Sequence, residues 1–290
     1  MEEILFTKMH GIGNDYIYIS CLESTPPDIP ALSIEMSRPH TGVGADGIIT
    51  IGPSDVADFR MRIFNADGSE ARMCGNGARC VGKYIWDHHL TRATEITLET
   101  LSGIRRLTLH PDCDGHVNMV SVDMGEPCLD CDRIPVTHTS HRMIEHHVAT
   151  SMGELPVTAV SMGNPHGVIF TELPLASLPL HSIGPELENH PMWPDRANIE
   201  FARIINSSEI EMRVWERGSG ETQACGTGAC AVAAAAMLTG RAATKVTIRL
   251  LGGDLEISRR EPDGHLIMTG PAATVFEGRY FISSSNPARQ

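Results

Sequence analysis

The feature that constrains this chain most is an internal repeat. Residues 61–65 read MRIFN and residues 74–78 read CGNGA, while residues 212–216 read MRVWE and residues 225–229 read CGTGA. Each residue of the second pair of segments lies 151 positions after its counterpart, and no gap is needed. Self-similarity at a fixed offset predicts a duplicated fold. At this point the matching loops could still be remnants of the duplication without any function.

The offset holds elsewhere to within one residue. The other matched pairs are Gly13-Asn14 with Gly163-Asn164, Gly47-Ile48 with Asn198-Ile199, and Gly103 with Gly253. Each half therefore has the same order of a Gly-Asn turn, a strand, the Cys-Gly-x-Gly-Ala segment and a glycine-centred hairpin. Cores preserve apolar periodicity more readily than polar loop residues, so matching loops favour a shared function.

Residues rich in Ile, Phe, Tyr and Thr between Gly, Pro and Asp predict a strand-dominated chain. The predicted strands are 5–9, 16–20, 47–51, 59–64, 96–100, 106–110, 161–170, 198–205, 210–215, 245–250 and 253–258, with helices at 76–87 and 228–239. We expect an α+β protein of two pseudo-symmetric domains, each a mostly antiparallel sheet or barrel wrapped around a central helix, with the active site in the interdomain cleft. The predicted domains are 1–124 together with 274–290, and 125–273. A last strand, 274–282, is expected to return to the first domain.

Length and charge narrow the function classes. The 290 residues suffice for two medium domains. A formal net charge of −13 disfavours nucleic acid as a partner, because the chain repels phosphate backbones. No apolar run approaches the length of a membrane span, and the acidic residues at the start are unlike a signal peptide. We therefore expect a cytoplasmic protein with no membrane partner.

Cys74 and Cys225 each precede a predicted helix by a glycine-rich turn. A helix N-terminus lowers the pKa of a cysteine thiol, which brings it towards the neutral range that acid/base catalysis requires. Backbone N–H groups at the same turn bind anions such as carboxylates. One loop could thus tune a thiol and bind a substrate carboxylate beside it.

Two such loops suggest a reaction that inverts a stereocentre. If a substrate lies between them, a thiolate on one side removes a proton from carbon and a thiol on the other side delivers one. A single base would tend to return the proton to the face from which it came. The repeat therefore predicts two-base proton transfer by Cys74 and Cys225.

Other interpretations of the cysteines carry less weight. Cys74 with Cys80, or Cys225 with Cys230, lacks the Cys-x-x-Cys spacing usual in zinc sites, and Cys80 and Cys230 fall inside helices as small core residues. A disulfide between Cys74 and Cys225 would be an inactivated state. The Cys-x-x-Cys of residues 128–131 follows a proline without a helix behind it, and a redox or metal role there stays open.

A GxGxxG match and several histidine groups do not predict binding sites. Residues 42–47 satisfy GxGxxG but run into a strand, whereas dinucleotide binding requires a helix there. The remaining histidine groups have no acidic or cysteine partner at ligand spacing and are predicted to lie at the surface: His88-His89, His141 and His146-His147.

Several motifs together resemble the diaminopimelate epimerase family. They are MHGIGND at 9–15, FNADGSE at 64–70, MCGNGARC at 73–80, MGNPH at 162–166 and ERGSGETQACGTG at 216–228. The resemblance spans nearly the whole chain, and the last string is highly specific. It implies a cofactor-independent, two-base epimerase that converts LL-2,6-diaminopimelate to the meso form for lysine and peptidoglycan precursors, and a homodimer.

The resemblance also implies residue roles. Cys74 and Cys225 would be the acid/base pair, and Arg217 would bind the distal carboxylate. His166 and Glu216 would adjust the pKa values of the thiols, and Glu216 would also take an ammonium group. Amino and carboxylate groups would be held by Asn14, Asn65, Asn164 and Asn198, and the reacting carboxylate by Gly75, Asn76, Gly226 and Thr227.

One departure concerns Gly47, where some relatives have a substrate-contacting Gln. Here any contact would come from the backbone. Two rival functions also stay open: a related two-cysteine racemase or isomerase of the proline racemase type, and a non-catalytic amino-acid-binding protein.

Overall fold

The computed structural model describes residues 2–282. The chain divides into two compact units. Unit 1 comprises the residues up to Val122 and those from Pro271 onward, and unit 2 is Asp123–Gly270. The sequence predicted the domain limits between residues 124 and 125 and between residues 273 and 274. Of the predicted range 274–290, residues 283–290 lie outside the described residues.

Strands dominate both units, as the sequence predicted. The strands are β1 Glu2–Gly11, β2 Asn14–Ser20, β3 Gly47–Gly52, β4 Phe59–Asn65, β5 Glu70–Ala71, β6 Glu95–Thr100, β7 Gly103–Pro111, β8 Val117–Gly125, β9 His146–Thr150, β10 Gly153–Ser161, β11 Pro165–Phe170, β12 Asn198–Asn206, β13 Glu209–Glu216, β14 Gly220–Glu221, β15 Lys245–Leu250, β16 Gly253–Arg259, β17 Leu266–Pro271 and β18 Ala273–Ile282. The helices are α1 Ile29–Met36, α2 Gly75–Asp87, α3 Leu180–Glu188 and α4 Gly226–Leu238, with a 3-10 turn at Leu175–Ser177. No helix among the described residues is long and apolar enough to cross a membrane.

The strand ladder of unit 1 is mostly antiparallel. Strand β1 pairs antiparallel with β18 and with β2, β2 pairs parallel with β3, and β3 pairs antiparallel with β4. The ladder continues through a parallel β4–β6 pair to the antiparallel pairs β6–β7 and β7–β8. The last strand, β18, thus belongs to unit 1, as predicted.

Unit 2 repeats this ladder pair by pair. Strand β10 pairs antiparallel with β9 and β11, β11 pairs parallel with β12, and β12 pairs antiparallel with β13. A parallel β13–β15 pair and the antiparallel pairs β15–β16 and β16–β17 follow. The repeat inferred from loop residues is therefore a repeat of the whole topology.

One helix forms the centre of each unit. Helix α2 packs against β1, β2, β7 and β18, and α4 packs against β10, β11, β12, β15 and β16. Every residue of α2 from Gly75 to Ile85 is buried. Eight of the 13 residues of helix α4 are Ala or Gly, which lets strands approach its axis closely. The predicted architecture of a sheet around a central helix is confirmed.

A glycine turn precedes the second strand of each ladder. Gly13 has φ 88° and Gly163 has φ 98°, a left-handed conformation that favours glycine. The turns bring Asn14 and Asn164 to equivalent positions. The prediction of one strand over 161–170 is wrong, because this turn ends β10 at Ser161 and β11 begins at Pro165.

Helices α1 and α3 were not predicted, and they occupy equivalent places between the second and third strands of each ladder. Both are short, and α3 contains Pro185, which disfavours a helix interior. Helix α1 did carry a start signal, because Asp28 caps it and a proline stands in its first turn. The predicted start of α4 at Gly228 is also two residues late.

Helix α3 supports the loop that follows β13. Trp215 packs on Gly184, where an added Cβ would lie 2.5 Å from the indole Cγ. The Trp215 Nε1 donates to Glu188 Oε2 at 2.8 Å, and Glu188 Oε1 accepts from the Gly218 backbone N at 2.9 Å. This contact chain holds the segment that contains Glu216 and Arg217.

We expect Gly184→Ala to destabilise unit 2 by about 1–3 kcal/mol, because the rigid indole ring has no space to move from the new methyl group. Urea unfolding followed by tryptophan fluorescence measures the change. Gly52→Ala is the control, since the nearest atoms to a Cβ there lie 3.9 Å away. Equal unfolding midpoints for the two variants would contradict the expectation.

Candidate functional site

Both repeat cysteines cap the central helix of their unit through sulfur. Cys74 is the N-cap of α2 and accepts a hydrogen bond from Gly77 N at 3.3 Å. Cys225 is the N-cap of α4 and accepts from Gly228 N at 3.4 Å. Both residues have extended backbone conformations, as N-cap residues require. The same backbone geometry therefore presents one thiol at each helix start.

The surroundings of Cys225 are acidic. Cys225 is buried, and this desolvation raises the pKa of its thiol well above the ordinary value, with the nearby carboxylates of Glu216 and Glu200 adding to the rise. The hydrogen bonds from Thr227 and Gly228 act in the opposite direction but are weaker. The expectation that a helix N-terminus lowers this pKa is thus wrong for Cys225, because burial and two negative charges outweigh the helix dipole.

The residues around Cys74 differ from those around Cys225. Its Sγ donates to Asn14 Oδ1 at 3.2 Å, and Asn14 Nδ2 donates to Asp46 Oδ2 at 2.8 Å. At the positions that match Glu216 and Glu200, unit 1 has Asn65 and Ile49. The two thiols are therefore capped alike and differ in electrostatics.

A hydrogen-bonded chain links the remaining polar residues of unit 2. His166, fully buried, lies with Nδ1 2.7 Å from Glu200 Oε1 and with Nε2 3.0 Å from Asn164 Oδ1. Asn164 Nδ2 donates to Thr227 Oγ1 at 3.4 Å, and Thr227 Oγ1 lies 3.5 Å from Cys225 Sγ. The chain connects a buried carboxylate to the thiol.

Glu216 lies at the end of β13, beside this chain. Its carboxylate accepts a short hydrogen bond from the Thr222 hydroxyl. Desolvation in its half-buried position raises the pKa of Glu216, and the neighbouring Glu200 raises it further. Hydrogen bonds from Thr222 and Cys225 and the nearness of His166 partly offset this rise.

Arg217 follows Glu216 and is exposed. Its backbone N donates to Asn198 Oδ1 at 3.0 Å, and its Nη1 donates to Asp195 O at 3.0 Å. Asn198 is itself buried and donates to Pro165 O at 3.1 Å. Asn198 therefore joins the start of β11 to the Arg217 loop.

The other predicted binding residues of unit 1 lie at the last position of β4 and in the first turn of α2. Asn65 Oδ1 accepts from Tyr16 Oη at 3.4 Å, and its Nδ2 donates to Ser69 Oγ at 3.0 Å. Gly75 and Asn76 are buried in the first turn of α2, where Gly226 and Thr227 stand in α4. In unit 1, Asn14 thus contacts the cysteine at the start of α2, whereas Asn65 contacts Tyr16 and Ser69.

The comparisons with known proteins agree with these motifs. A family model described as diaminopimelate epimerase matches residues 6–129 and 158–275. The diaminopimelate epimerase of Agathobacter rectalis is 51% identical over 284 residues, which covers 96% of this chain and 99% of that protein. That of Phocaeicola vulgatus is 52% identical over 275 residues, covering 95% and 97%. The chain belongs to the diaminopimelate epimerase family.

Solved structures share the fold at much lower identity. A hydroxyproline epimerase from Agrobacterium vitis with bound trans-4-hydroxy-L-proline has a TM-score of 0.70 at 15% identity, covering 99% of this chain and 93% of that one. A PhzF-family protein from Bacillus anthracis has a TM-score of 0.71 at 15% identity, covering 97% and 100%. The architecture of this epimerase family is thus shared with these proteins.

The structure explains why residue 47 is a glycine without a side chain. An added Cβ would lie 2.0 Å from Phe64 O and 2.9 Å from Asn65 Cα, so this backbone accepts only glycine. The position matches Asn198 in unit 2. Any substrate contact at this position would therefore come from the backbone, as the sequence analysis expected.

Sequence analysis missed two carboxylates, Glu200 and Asp46. Glu200 stands in β12 between Ile199 and Phe201, where every residue is buried. A lone glutamate within an apolar strand, at a place where the other half has Ile49, was a signal that the repeat contained. Asp46 gave no such signal, because it lies in the glycine-rich segment before β3.

The remaining cysteines and histidines lie outside this constellation. Within residues 2–282, no group of three or more potential ligands could hold a metal ion. Cys80 and Cys230 are buried in the central helices, as predicted, and Cys128 lies in an isolated bridge with Ser161.

The predicted surface position of the histidines is confirmed, but three of them do have acidic partners in space. These are His88 with Glu277 at 3.6 Å, His141 with Asp130 at 3.0 Å and His147 with Glu154 at 3.4 Å. Folding brings these partners together at sequence separations that no ligand motif includes.

We expect Glu216→Gln to lower the pKa of the Cys225 thiol, because one of the two carboxylates that disfavour the thiolate loses its charge. The thiolate absorbance of each protein, minus that of its Cys225→Ser counterpart, isolates this titration. Glu211→Gln, in the same strand but paired with Arg203, is the control. An unchanged or raised pKa in Glu216→Gln would contradict the assignment.

Proposed function

We propose that this protein epimerises LL-2,6-diaminopimelate to the meso form, a step that serves lysine and peptidoglycan precursors. The observation that carries the proposal is the pair of sulfur-capped helices, one in each repeat, in a member of the diaminopimelate epimerase family. One thiolate removes the α-proton, and the other thiol supplies a proton to the opposite face of the same carbon. The base and the acid are both side chains of the chain itself.

The weakly acidic α-proton requires stabilisation of the negative charge that develops on its removal. Backbone N–H groups at the starts of α2 and α4 are directed dipoles suited to a carboxylate. We assign Gly75, Asn76, Gly226 and Thr227 to the substrate carboxylate attached to the reacting carbon. The charge is then stabilised next to the sulfur that moves the proton.

The two thiols begin the reaction in different states. Burial and two neighbouring carboxylates favour the protonated form of Cys225. In our scheme Cys225 is therefore a thiol in the resting protein and delivers a proton, while Cys74 takes the proton from the substrate. The roles exchange in the reverse direction.

The second amino acid group of the substrate needs its own contacts. Arg217 is exposed and its guanidinium suits a bidentate carboxylate contact. Amide side chains serve both an ammonium and a carboxylate, and we assign them to Asn14, Asn65, Asn164 and Asn198. In this scheme Glu216 and His166 adjust the pKa values of the thiols, and Glu216 also binds an ammonium group of the substrate. We further propose a cytoplasmic homodimer.

Incubation with LL-diaminopimelate in deuterium oxide tests the function. We expect the meso isomer to form and deuterium to enter at the α-carbon, because the acquired proton comes from a solvent-exchanged thiol. Chiral chromatography with mass spectrometry measures both. Proline is the comparison substrate, since solved relatives of this fold include a hydroxyproline epimerase. Exchange into proline but not diaminopimelate would overturn the proposal.

Replacing either thiol should abolish turnover. We expect Cys74→Ser and Cys225→Ser each to lower kcat by at least about 10²-fold, because a serine hydroxyl is too weak an acid to replace a thiol in this exchange. Cys113→Ser, at an exposed cysteine outside both helices, is the control. Full turnover in either of the first two variants would argue against two-base chemistry.

A further inference from the structure

Glu200 is a fully buried carboxylate beneath the start of α4. Its Oε1 lies 2.7 Å from His166 Nδ1, and both side chains have no exposed surface. Its Oε2 is buried without a hydrogen-bond partner. A buried carboxylate with one unpartnered oxygen is costly to fold, so its retention calls for a reason other than packing.

The repeat shows what packing alone requires at this place. Gly228 approaches Glu200 so closely that an added Cβ would lie 2.7 Å from Oε1. In unit 1, Gly77 approaches the matching residue, Ile49, in the same way, with its Cδ1 2.6 Å from an added Cβ. An isoleucine therefore fills the space under the same helix start, and the charge of Glu200 is specific to unit 2.

The residues next to Glu200 and Ile49 also differ between the two units. His166 occupies the place of Tyr16, whose hydroxyl donates to Asn65. Both neighbours of the His166 ring are oxygens, Glu200 Oε1 at Nδ1 and Asn164 Oδ1 at Nε2, so both ring nitrogens donate and the ring is an imidazolium paired with the Glu200 carboxylate. The negative charge of Glu200 thus stabilises the protonated ring, which can donate at both nitrogens.

The direction of the Asn164 amide follows from this contact. Because Oδ1 receives the Nε2–H, Nδ2 turns to Thr227, which contacts the Cys225 sulfur. In unit 1, by contrast, Asp46 accepts from Asn14 Nδ2 and leaves Oδ1 towards Cys74. The two matched asparagines therefore present opposite ends of their amides to the two thiols.

We propose that Glu200 is a positioning residue that holds His166 with both ring nitrogens protonated and thereby orients the Asn164 amide towards Thr227 and Cys225. The inference deepens the proposed function and rests on it for its kinetic consequences. Glu200 does not touch the substrate. It gives unit 2 an amide orientation that differs from that of unit 1, so the two thiols meet different hydrogen-bonding groups.

The test uses Glu200→Gln, which keeps the shape but can donate to Nδ1 as well as accept from it. We expect kcat to fall by about 10²-fold, the cost of misplacing groups that act on the reacting atoms. Glu211→Gln, at the exposed pair with Arg203 in the same sheet, should keep the wild-type kcat and KM. Wild-type kcat in Glu200→Gln would overturn the proposal.

Nitrogen NMR of ¹⁵N-histidine-labelled protein provides a readout that a merely structural role would not move. The signals of His166 are identified by their loss in His166→Asn. We expect Glu200→Gln to change the protonation pattern of the two ring nitrogens, and Glu211→Gln to leave it unchanged. Lost activity with unchanged His166 signals would assign Glu200 a structural role and refute the positioning role.

A double-mutant cycle tests the route of action. If Glu200 acts through His166, the double variant Glu200→Gln/His166→Asn should be no slower than His166→Asn alone. Additive losses would contradict that route. If Glu200→Gln does not fold, Glu200→Ile takes its place, because unit 1 accommodates isoleucine at the matching position.

The two proposals fail in different ways. If the wild-type protein does not turn over diaminopimelate, the proposed function is wrong, but the NMR prediction is unaffected. An active wild type with unchanged His166 signals in the Glu200 variants sinks only the positioning role.

Discussion

The hydrogen bond from a helix backbone N–H to a cysteine sulfur is the constraint on which the rest of this structure depends. It occurs at Cys74 and at Cys225, and it ties each thiol to the first turn of a buried helix. The bond requires a residue without a side chain at the third helical position, because Ile49 or Glu200 lies directly beneath. Strand, glycine, helix start and thiol are therefore positioned together.

The duplicated fold gives both thiols this frame, and the differences between the repeats supply the chemistry. Unit 1 has Ile49, Tyr16 and Asn65 where unit 2 has Glu200, His166 and Glu216, so the imidazole and these two carboxylates belong to unit 2. Such buried polar groups are costly in a core, and they are concentrated at one helix start. Two thiols with unequal surroundings are suited to exchange the roles of acid and base.

Much of this was predictable because the repeat links distant residues without knowledge of the fold. The equivalence of the two halves, the central helices and the two thiols follow from matches at a constant offset. The helices α1 and α3 did not, since short helices depend on tertiary packing more than on propensity. The predicted direction of the Cys225 pKa shift was wrong because a helix start can be read from a sequence, whereas the burial of the thiol and its nearness to Glu216 and Glu200 cannot.

The sequence by itself determined the duplication, the family and the chemical identity of the two matched thiols, because these depend on residue types at fixed spacing. Only the tertiary structure decided which groups surround each sulfur. Glu200 and His166 lie 34 residues apart, and parallel pairing of β11 with β12 brings them into contact. Electrostatics depends on distance and burial, and a linear spacing contains neither.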